Sequence, residues 1–209
     1  MQGTSVYVYY GEPTPAHINQ EIYMEWLPPE GQGGTLQQGV WGLWLIPEKI
    51  TEGVVQMWLP TTEHIGLSTG FLQPEPDTTL TIPATADGIV SVGAYQVSND
   101  VAASFSGRGD TADGRQAPTL VAPGVDVVTA APGGRYVART GTSIASPFVA
   151  GAAALIMEWG IVQGNDPYLY GEKVKAYLMK GARRLPGQES VPDKKAGWGA
   201  LCLAASLPK

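Results

Sequence analysis

The chain of 209 residues is poor in cysteine and in charged side chains. A single cysteine, Cys202, excludes an intrachain disulfide, which fits a reducing compartment. Charged residues make up 15% of the chain against about 25% on average, which argues against disorder and against a coiled coil. No signal peptide follows Met1, and the longest apolar run, Phe148–Met157, is about half a membrane span. We therefore expect a soluble protein with no membrane span.

Positive charge is scarce as well, with 13 Lys and Arg against 19 Asp and Glu and a net charge of −6. Proteins that bind nucleic acids usually carry a basic patch, so a nucleic-acid partner is not expected. The deficit lies in residues 1–77, which hold one cation, Lys49, and nine acids. The Pro-rich stretch 73–77, Gln-Pro-Glu-Pro-Asp, ends this segment, and we predict a domain boundary there.

Glycine and proline are abundant, at 27 and 17 residues, which is typical of short strands joined by turns. Residues 1–77 contain four runs of strand length that are rich in β-branched and aromatic residues and are separated by turn clusters. They are Val6–Tyr10, Ile22–Leu27, Val40–Ile46 and Val54–Leu59. The segment is therefore predicted to be all-β, a small antiparallel sandwich or jelly roll.

Residues 78–209 mix the two kinds of element. We predict strands at Ile89–Val97 and Val125–Ala130 and helices at Ser143–Trp159 and Gly171–Arg184. The first helix is so rich in alanine and glycine that it can lie close against its neighbours on every side, and we expect it to be buried. Strands followed by helices predict an α/β layer.

The run Gly141–Pro147, Gly-Thr-Ser-Ile-Ala-Ser-Pro, places a serine at the start of the small-residue helix. The backbone N–H groups of a first helical turn are unpaired and can stabilise an oxyanion, while the hydroxyl of Ser143 would project into a cleft. The alternative is that Thr142 or Ser143 merely caps the helix, which is the commonest role of such residues there.

The wider run 141–155 resembles the nucleophile segment of the subtilisin-like serine proteases, the subtilase or peptidase S8 family, whose pattern is Gly-Thr-Ser-x-Ala-Ser/Thr-Pro before a small-residue helix. Further runs match the family in the right order. They are Gly88–Ala94 (Gly-Ile-Val-Ser-Val-Gly-Ala), Ala103–Gly107 (Ala-Ser-Phe-Ser-Gly), Val121–Val127 (Val-Ala-Pro-Gly-Val-Asp-Val) and Gly197–Gly199 (Gly-Trp-Gly). The resemblance implies that residues 78–209 are the C-terminal part of a subtilisin-like parallel-sheet domain.

The resemblance also implies roles for individual residues. Ser143 would be the nucleophile of a serine endopeptidase, and its backbone N–H would be one oxyanion donor. The motif residues that support it are Gly141, Thr142 and Pro147. The residues that match the leaving-group side of the substrate site are Phe105, Ala138 and Arg139.

Other runs resemble the Csp group of spore-germination subtilases, in which a jelly-roll domain interrupts the protease domain. They are Phe71–Ala84, Asn165–Gly171 and Gly197–Cys202. This resemblance implies that residues 1–77 are the jelly-roll insert, that Ile82-Pro83 matches a cis-proline position of the family, and that the protein is bacterial and linked to spores.

The family's other catalytic motifs are absent from this chain. Its Asp lies in Asp-Thr/Ser-Gly, its His in His-Gly-Thr and its oxyanion Asn in Ala-Gly-Asn, and none of these occurs here. We therefore expect a fragment that is inactive alone on a polypeptide substrate, and whose partner is the missing N-terminal part of the same domain. The two histidines, His17 and His64, are predicted to be surface or loop residues and not the general base.

No cofactor is expected, since the sequence holds no Cys/His metal cluster and no phosphate-binding loop. Many subtilases bind calcium, some near the strand equivalent to Pro83–Ile89, so the resemblance allows an ion there. Two other functions stay open. One is a non-catalytic pseudoprotease that binds a protein partner in germination signalling, as some Csp members are. The other is a carbohydrate-binding β segment that uses Trp41 and Trp44.

Overall fold

The computed structural model describes residues 4–15, 19–28, 36, 38–50 and 52–207, apart from the side chain of Glu63. The chain forms two compact units, Met1–Leu59 and Pro60–Lys209. Residues 60–77 thus belong to the second unit, where the Lys194 ammonium lies 3.3 Å from the Asp77 carboxylate. The functional boundary at residue 77 stays a prediction.

The first unit contains an antiparallel pair of strands, β1 (Ser5–Gly11) and β2 (Glu21–Leu27), in register from Ser5↔Leu27 to Gly11↔Glu21. Both strands were predicted. The other two predicted strands, residues 40–46 and 54–59, have no regular secondary structure. Strand propensity reflects how well a side chain fits a pleated, half-buried surface. A run of residues with high propensity therefore forms no strand where no partner strand pairs with it. A jelly roll is not shown by the described residues.

The second unit is built on a mixed three-stranded sheet. Its central strand, β3 (Val92–Gln96), pairs antiparallel with β4 (Val101–Ala102) and parallel with β5 (Leu120–Pro123). A separate hairpin follows, with β6 (Val127–Ala131) antiparallel to β7 (Arg135–Arg139). The sheet is therefore mixed, and of its two strand pairs only β3 with β5 is the parallel kind that the resemblance implies.

Four α-helices complete the described part of the chain: α1 (Thr62–Ile65), α2 (Thr142–Met157), α3 (Gly171–Gly181) and α4 (Leu203–Ser206). A short π-helical segment, Glu158–Val162, extends α2. The long helices, α2 and α3, match the two predicted helices. The cis peptide bond expected at Ile82-Pro83 is present.

The core of the second unit lies between α2, α3 and the mixed sheet. The buried stripe of α2 recurs at helical spacing and consists of Ala145, Val149, Ala152 and Ile156. It packs with Ala94, Leu120 and Ala122 of the sheet and with Val174 and Leu178 of α3. The amino end of α2, which carries Ser143, is thereby fixed against the sheet.

The opposite face of α2 is not buried as expected. Phe148, Leu155 and Met157 are each more than two-fifths exposed, because the described elements cover only one side of the helix. By length and composition alone, the helical stretch Thr142–Val162 would suffice to cross a membrane. Core helices of soluble proteins satisfy the same criterion.

Candidate active site

Ser143 is exposed in the first turn of α2. The cap position is occupied by Gly141, and no side chain caps this helix. The capping alternative for Thr142 or Ser143 is therefore not what the structure shows. Gly141 has φ 156°, in the region that favours glycine, and this conformation lets the chain turn directly into the helix.

The first turn leaves its leading N–H groups unpaired. The N–H groups of Ile144 and Ala145 donate to the carbonyl of Gly141 at 3.1 and 3.3 Å. Neither the N–H nor the Oγ of Ser143 has a hydrogen-bond partner among the described residues. An unpaired N–H beside an unpaired hydroxyl, at the positive end of a long helix, suits the stabilisation of a developing oxyanion.

Gly124 holds the turn before Ser143 against the sheet through two backbone hydrogen bonds. Its N–H donates to the carbonyl of Tyr95 at 3.1 Å, and its own carbonyl accepts the N–H of Gly141 at 2.8 Å. A Cβ at Gly124 would lie 2.6 Å from the Cβ of Ala94 and 2.9 Å from the oxygen of Gly141. The glycine of the Ala-Pro-Gly run is thus required for the close approach of the turn before Ser143, a structural reason that the motif alone did not supply.

A second pair of contacts holds the same turn from the β6–β7 hairpin. The hydroxyl of Thr140 accepts the N–H of Asp126 at 2.9 Å and lies 3.3 Å from its carboxylate. Strand register pairs Arg139 with Val127. The residues just before Ser143 are therefore fixed to Gly124 and Asp126, the two neighbours of Val125.

The Ala-Ser-Phe-Ser-Gly run fixes a loop beside this turn. Ser106 is buried, and its Oγ accepts the backbone N–H of Ala94 in β3 at 3.0 Å. A Cβ at Gly93 would lie 2.8 Å from that Oγ, so the glycine of Val-Gly-Ala leaves room for the contact. Sequence reasoning placed Ser106 in a motif without finding this role, because the two partners are far apart in the chain.

Replacing Ser106 by alanine tests the loop anchor. The change leaves the Ala94 N–H buried without a partner, so we expect a loss of about 1–3 kcal/mol in the free energy of unfolding, measured by urea denaturation. Ser104 is exposed in the same run, so Ser104→Ala serves as the matched control and should lose much less. Equal losses in the two variants would show that the hydrogen bond to Ala94 contributes nothing.

An open apolar groove of about 280 Å³ lies along the β3–β4 hairpin and the loop after it. Phe105, 49% exposed, and Val125 line it together with Gln96 and residues 101–104. Val125 lies between Gly124 and Asp126, the two residues that hold the turn before Ser143. Of the predicted substrate contacts, the structure places Phe105 in this groove, whereas Ala138 and Arg139 lie exposed on β7.

No general base accompanies the serine in the described part of the chain. His64 is exposed in α1, and its Nδ1 lies 3.1 Å from the hydroxyl of Thr61. No described hydrogen bond joins His64 to Ser143, which agrees with a surface histidine. His17 lies outside the described residues.

The turn at residues 83–89 does not fit a calcium ion. Calcium takes about 6–8 oxygen ligands, several of them carboxylates. Here the carbonyls of Thr85 and Ile89 already accept hydrogen bonds from Arg115 and Lys175, at 2.8 and 2.7 Å. Asp87 is 94% exposed and faces Arg115 at 3.5 Å. Among the described residues, no group of three acidic, histidine or cysteine side chains could hold a metal.

Comparison with known proteins places the chain in a family. The family model of the subtilases, Peptidase S8, matches residues 68–199. Serine protease AprX of Bacillus subtilis is 32% identical over 154 residues, which are 64% of this chain and 33% of AprX. Subtilisin E of the same organism is 45% identical over 92 residues, which are 42% of this chain and 22% of the subtilisin.

The structure of the CspB protease of Clostridium perfringens matches with a TM-score of 0.75 at 34% identity. The match covers 96% of this chain and 42% of the CspB chain. This chain therefore spans less than half the length of each of these relatives, all of which are bacterial. The predicted resemblance is confirmed, and the chain belongs to the subtilase family.

Proposed function

We propose that this chain is the C-terminal part of a subtilase that acts as a serine endopeptidase, with Ser143 as its nucleophile. The observation that carries the proposal is the first turn of α2, where an exposed, unpaired hydroxyl stands beside an unpaired backbone N–H on the same residue. A hydroxyl in that position can attack a peptide carbonyl, and the N–H can bind the oxygen that becomes negative.

The reaction needs groups that the rest of a subtilase domain would supply. A serine hydroxyl is a poor nucleophile until a base removes its proton, and the base in turn needs an orienting group. In the complete domain, the histidine takes the proton from Ser143 as its Oγ bonds to the substrate carbonyl. The histidine then gives that proton to the departing amine, and water releases the acyl group. The N-terminal part of the domain is therefore the proposed partner.

The groove beside the nucleophile turn supports a substrate subsite. Phe105 and Val125 give it an apolar lining, and Val125 adjoins both residues that hold the turn. We assign to it an apolar side chain on the leaving-group side of a polypeptide substrate. Ala138 and Arg139 extend that side along β7, where Arg139 forms no ion pair among the described residues.

The Csp-type assignment rests on the extent of the structural match. The match to the CspB protease covers nearly the whole of this chain, including most of residues 1–77. We accordingly assign these residues to a β insert of the jelly-roll type, and the parent protein to a spore-associated role in germination. The exposed apolar face of α2 is where the rest of the protease domain would pack.

The test is to restore the missing groups. The chain is joined behind the part of the CspB protease that precedes the matched region, and the fusion is treated with a fluorophosphonate that labels activated serines. We expect labelling of Ser143 that disappears in Ser143→Ala. It should persist in Ser146→Ala, which removes an exposed hydroxyl from the same helix. A fusion that is folded by circular dichroism yet unlabelled would contradict the proposal and favour the pseudoprotease alternative.

The carbohydrate-binding alternative has one observation in its favour. Trp44 is 86% exposed and Trp41 is 45% exposed, so both indole rings are open to a ligand. Trp41 also packs edge-on against Trp26, with ring centroids 6.3 Å apart, which is an arrangement common in protein cores. The described residues make no hydrogen bond to Trp44, and the protease function is the better supported of the two.

A further inference from the structure

The turn that precedes β3 is held by two cations from distant parts of the chain. Lys175, on α3, donates from its ammonium to the carbonyl of Ile89 at 2.7 Å across 86 residues of sequence. Arg115, in the loop before β5, donates from its guanidinium to the carbonyl of Thr85 at 2.8 Å. Both bonds are partly buried, so each cation is directed at the turn and not at the solvent.

The two side chains border one small polar cavity of about 60 Å³. Backbone from residues 84 to 89 forms one wall, and Ser91, Thr111 and Thr119 contribute to the rest. Asp87 and Gln116 line the cavity as well. The carbonyls of Thr85 and Ile89 and the carboxylate of Asp87 attract positive charge, which in this chain comes from the side chains of Arg115 and Lys175.

Arg115 is itself held in place by its neighbours. Its Nε donates to the carboxylate of Asp113 at 2.9 Å, and Asp113 also accepts the hydroxyl of Thr111. The hydrogen bond from Thr111, followed by that from Arg115, keeps the pKa of Asp113 below its ordinary value. The carboxylate of Asp113 is therefore already bonded to Arg115 and Thr111 and is not available to bind a metal ion.

We propose that Lys175 and Arg115 are the permanent cations of this turn and stand in place of the calcium ion that some subtilases hold near this strand. A divalent ion in the cavity would meet two positive charges and would have to displace both from the carbonyls. The turn leads towards β3, where the carbonyl of Tyr95 accepts the N–H of Gly124, and Gly124 in turn accepts the N–H of Gly141 just before Ser143. The fold that positions Ser143 is thus independent of calcium, and this inference does not depend on whether Ser143 is catalytic.

The first test is calcium dependence, measured on the full chain by thermal unfolding. We expect the melting temperature to be the same in millimolar calcium and in excess chelator, and calorimetric titration to detect no calcium binding. A melting temperature several degrees higher in calcium, with binding of one ion per chain, would overturn the proposal. This measurement needs no variant, so it decides the matter even if a variant fails to fold.

The second test removes the ammonium and keeps its stem. Lys175→Met leaves the carbonyl of Ile89 without its donor, and we expect the melting temperature to fall by about 3–6 °C. Lys180 lies exposed on the same helix and makes no ion pair in the described structure, so Lys180→Met is the matched control and should change it little. If both variants melt at the same temperature, Lys175 does not hold the turn.

Discussion

The isolated chain is expected to show no reaction of Ser143 with a fluorophosphonate and no hydrolysis of peptides. Ser143 has the exposure and the backbone N–H for the chemistry, but no base contacts its hydroxyl among the described residues. In subtilisin, the enzyme in which this loss has been measured, removing the catalytic histidine alone lowers kcat by about 10⁶. This chain lacks the motifs of the histidine, the aspartate and the oxyanion asparagine together.

The measurement is the intact mass of the purified chain after incubation with the fluorophosphonate, with Ser143→Ala treated alongside. An unchanged mass in both samples is the expected outcome, and the fusion to the CspB segment gives the positive control. A mass increase that depends on Ser143 would mean that the chain carries its own base. His64 would then be the first candidate, and His64→Ala would be expected to abolish the labelling.

Gly197→Ala is expected to have the largest effect on stability among the single substitutions considered. Gly197 has φ 57°, where a side chain costs about 1–2 kcal/mol. A Cβ there would also collide with the backbone carbonyls of Pro118 and Thr119, which cannot swing away as a flexible side chain would. The neighbouring Trp198 N–H donates to the Thr119 carbonyl at 2.9 Å, so the collision would separate the C-terminal segment from β5. We expect a total loss of about 4 kcal/mol or more.

Gly187→Ala provides the matched control for this substitution. Gly187 also has a positive φ, 76°, but a Cβ there would meet nothing within 4 Å. The control should therefore lose only the cost of a side chain at positive φ, about 1–2 kcal/mol in the free energy of unfolding. Urea unfolding of both variants gives the difference between them, which isolates the close approach to β5. A Gly197→Ala variant no less stable than Gly187→Ala would show that the C-terminal segment can move aside without cost.

The success of prediction differed between the two units for a physical reason. The helix at residues 142–157 was predicted well because small and apolar residues at helical spacing, and the glycine before it, act within a few turns of chain. The strands predicted at 40–46 and 54–59 are absent because a strand depends on a partner that its own residues do not specify. The pair β1 and β2 was predicted correctly because each strand has as its partner the next predicted strand along the chain.

The face of α2 shows the same division. Composition predicted a helix able to pack closely on every side, whereas the described elements cover only the side with Ala145 and Ile156. Phe148 and Leu155 on the other side are partly exposed. How much of a helix surface is buried depends on which other elements pack around it. The sequence of the helix alone does not specify those elements.

By itself, the sequence determined the family, the start of the helix that carries Ser143 and the absence of the family's other motifs, because these are carried by short contiguous runs. Tertiary structure decided which groups hold the turn in place. The Gly124 carbonyl accepts the Gly141 N–H, and the Ser106 hydroxyl accepts the Ala94 N–H. Lys175 reaches the carbonyl of Ile89 from another element. These contacts join residues that are distant in the chain and become neighbours only when sheet and helices pack, so no local pattern could specify them.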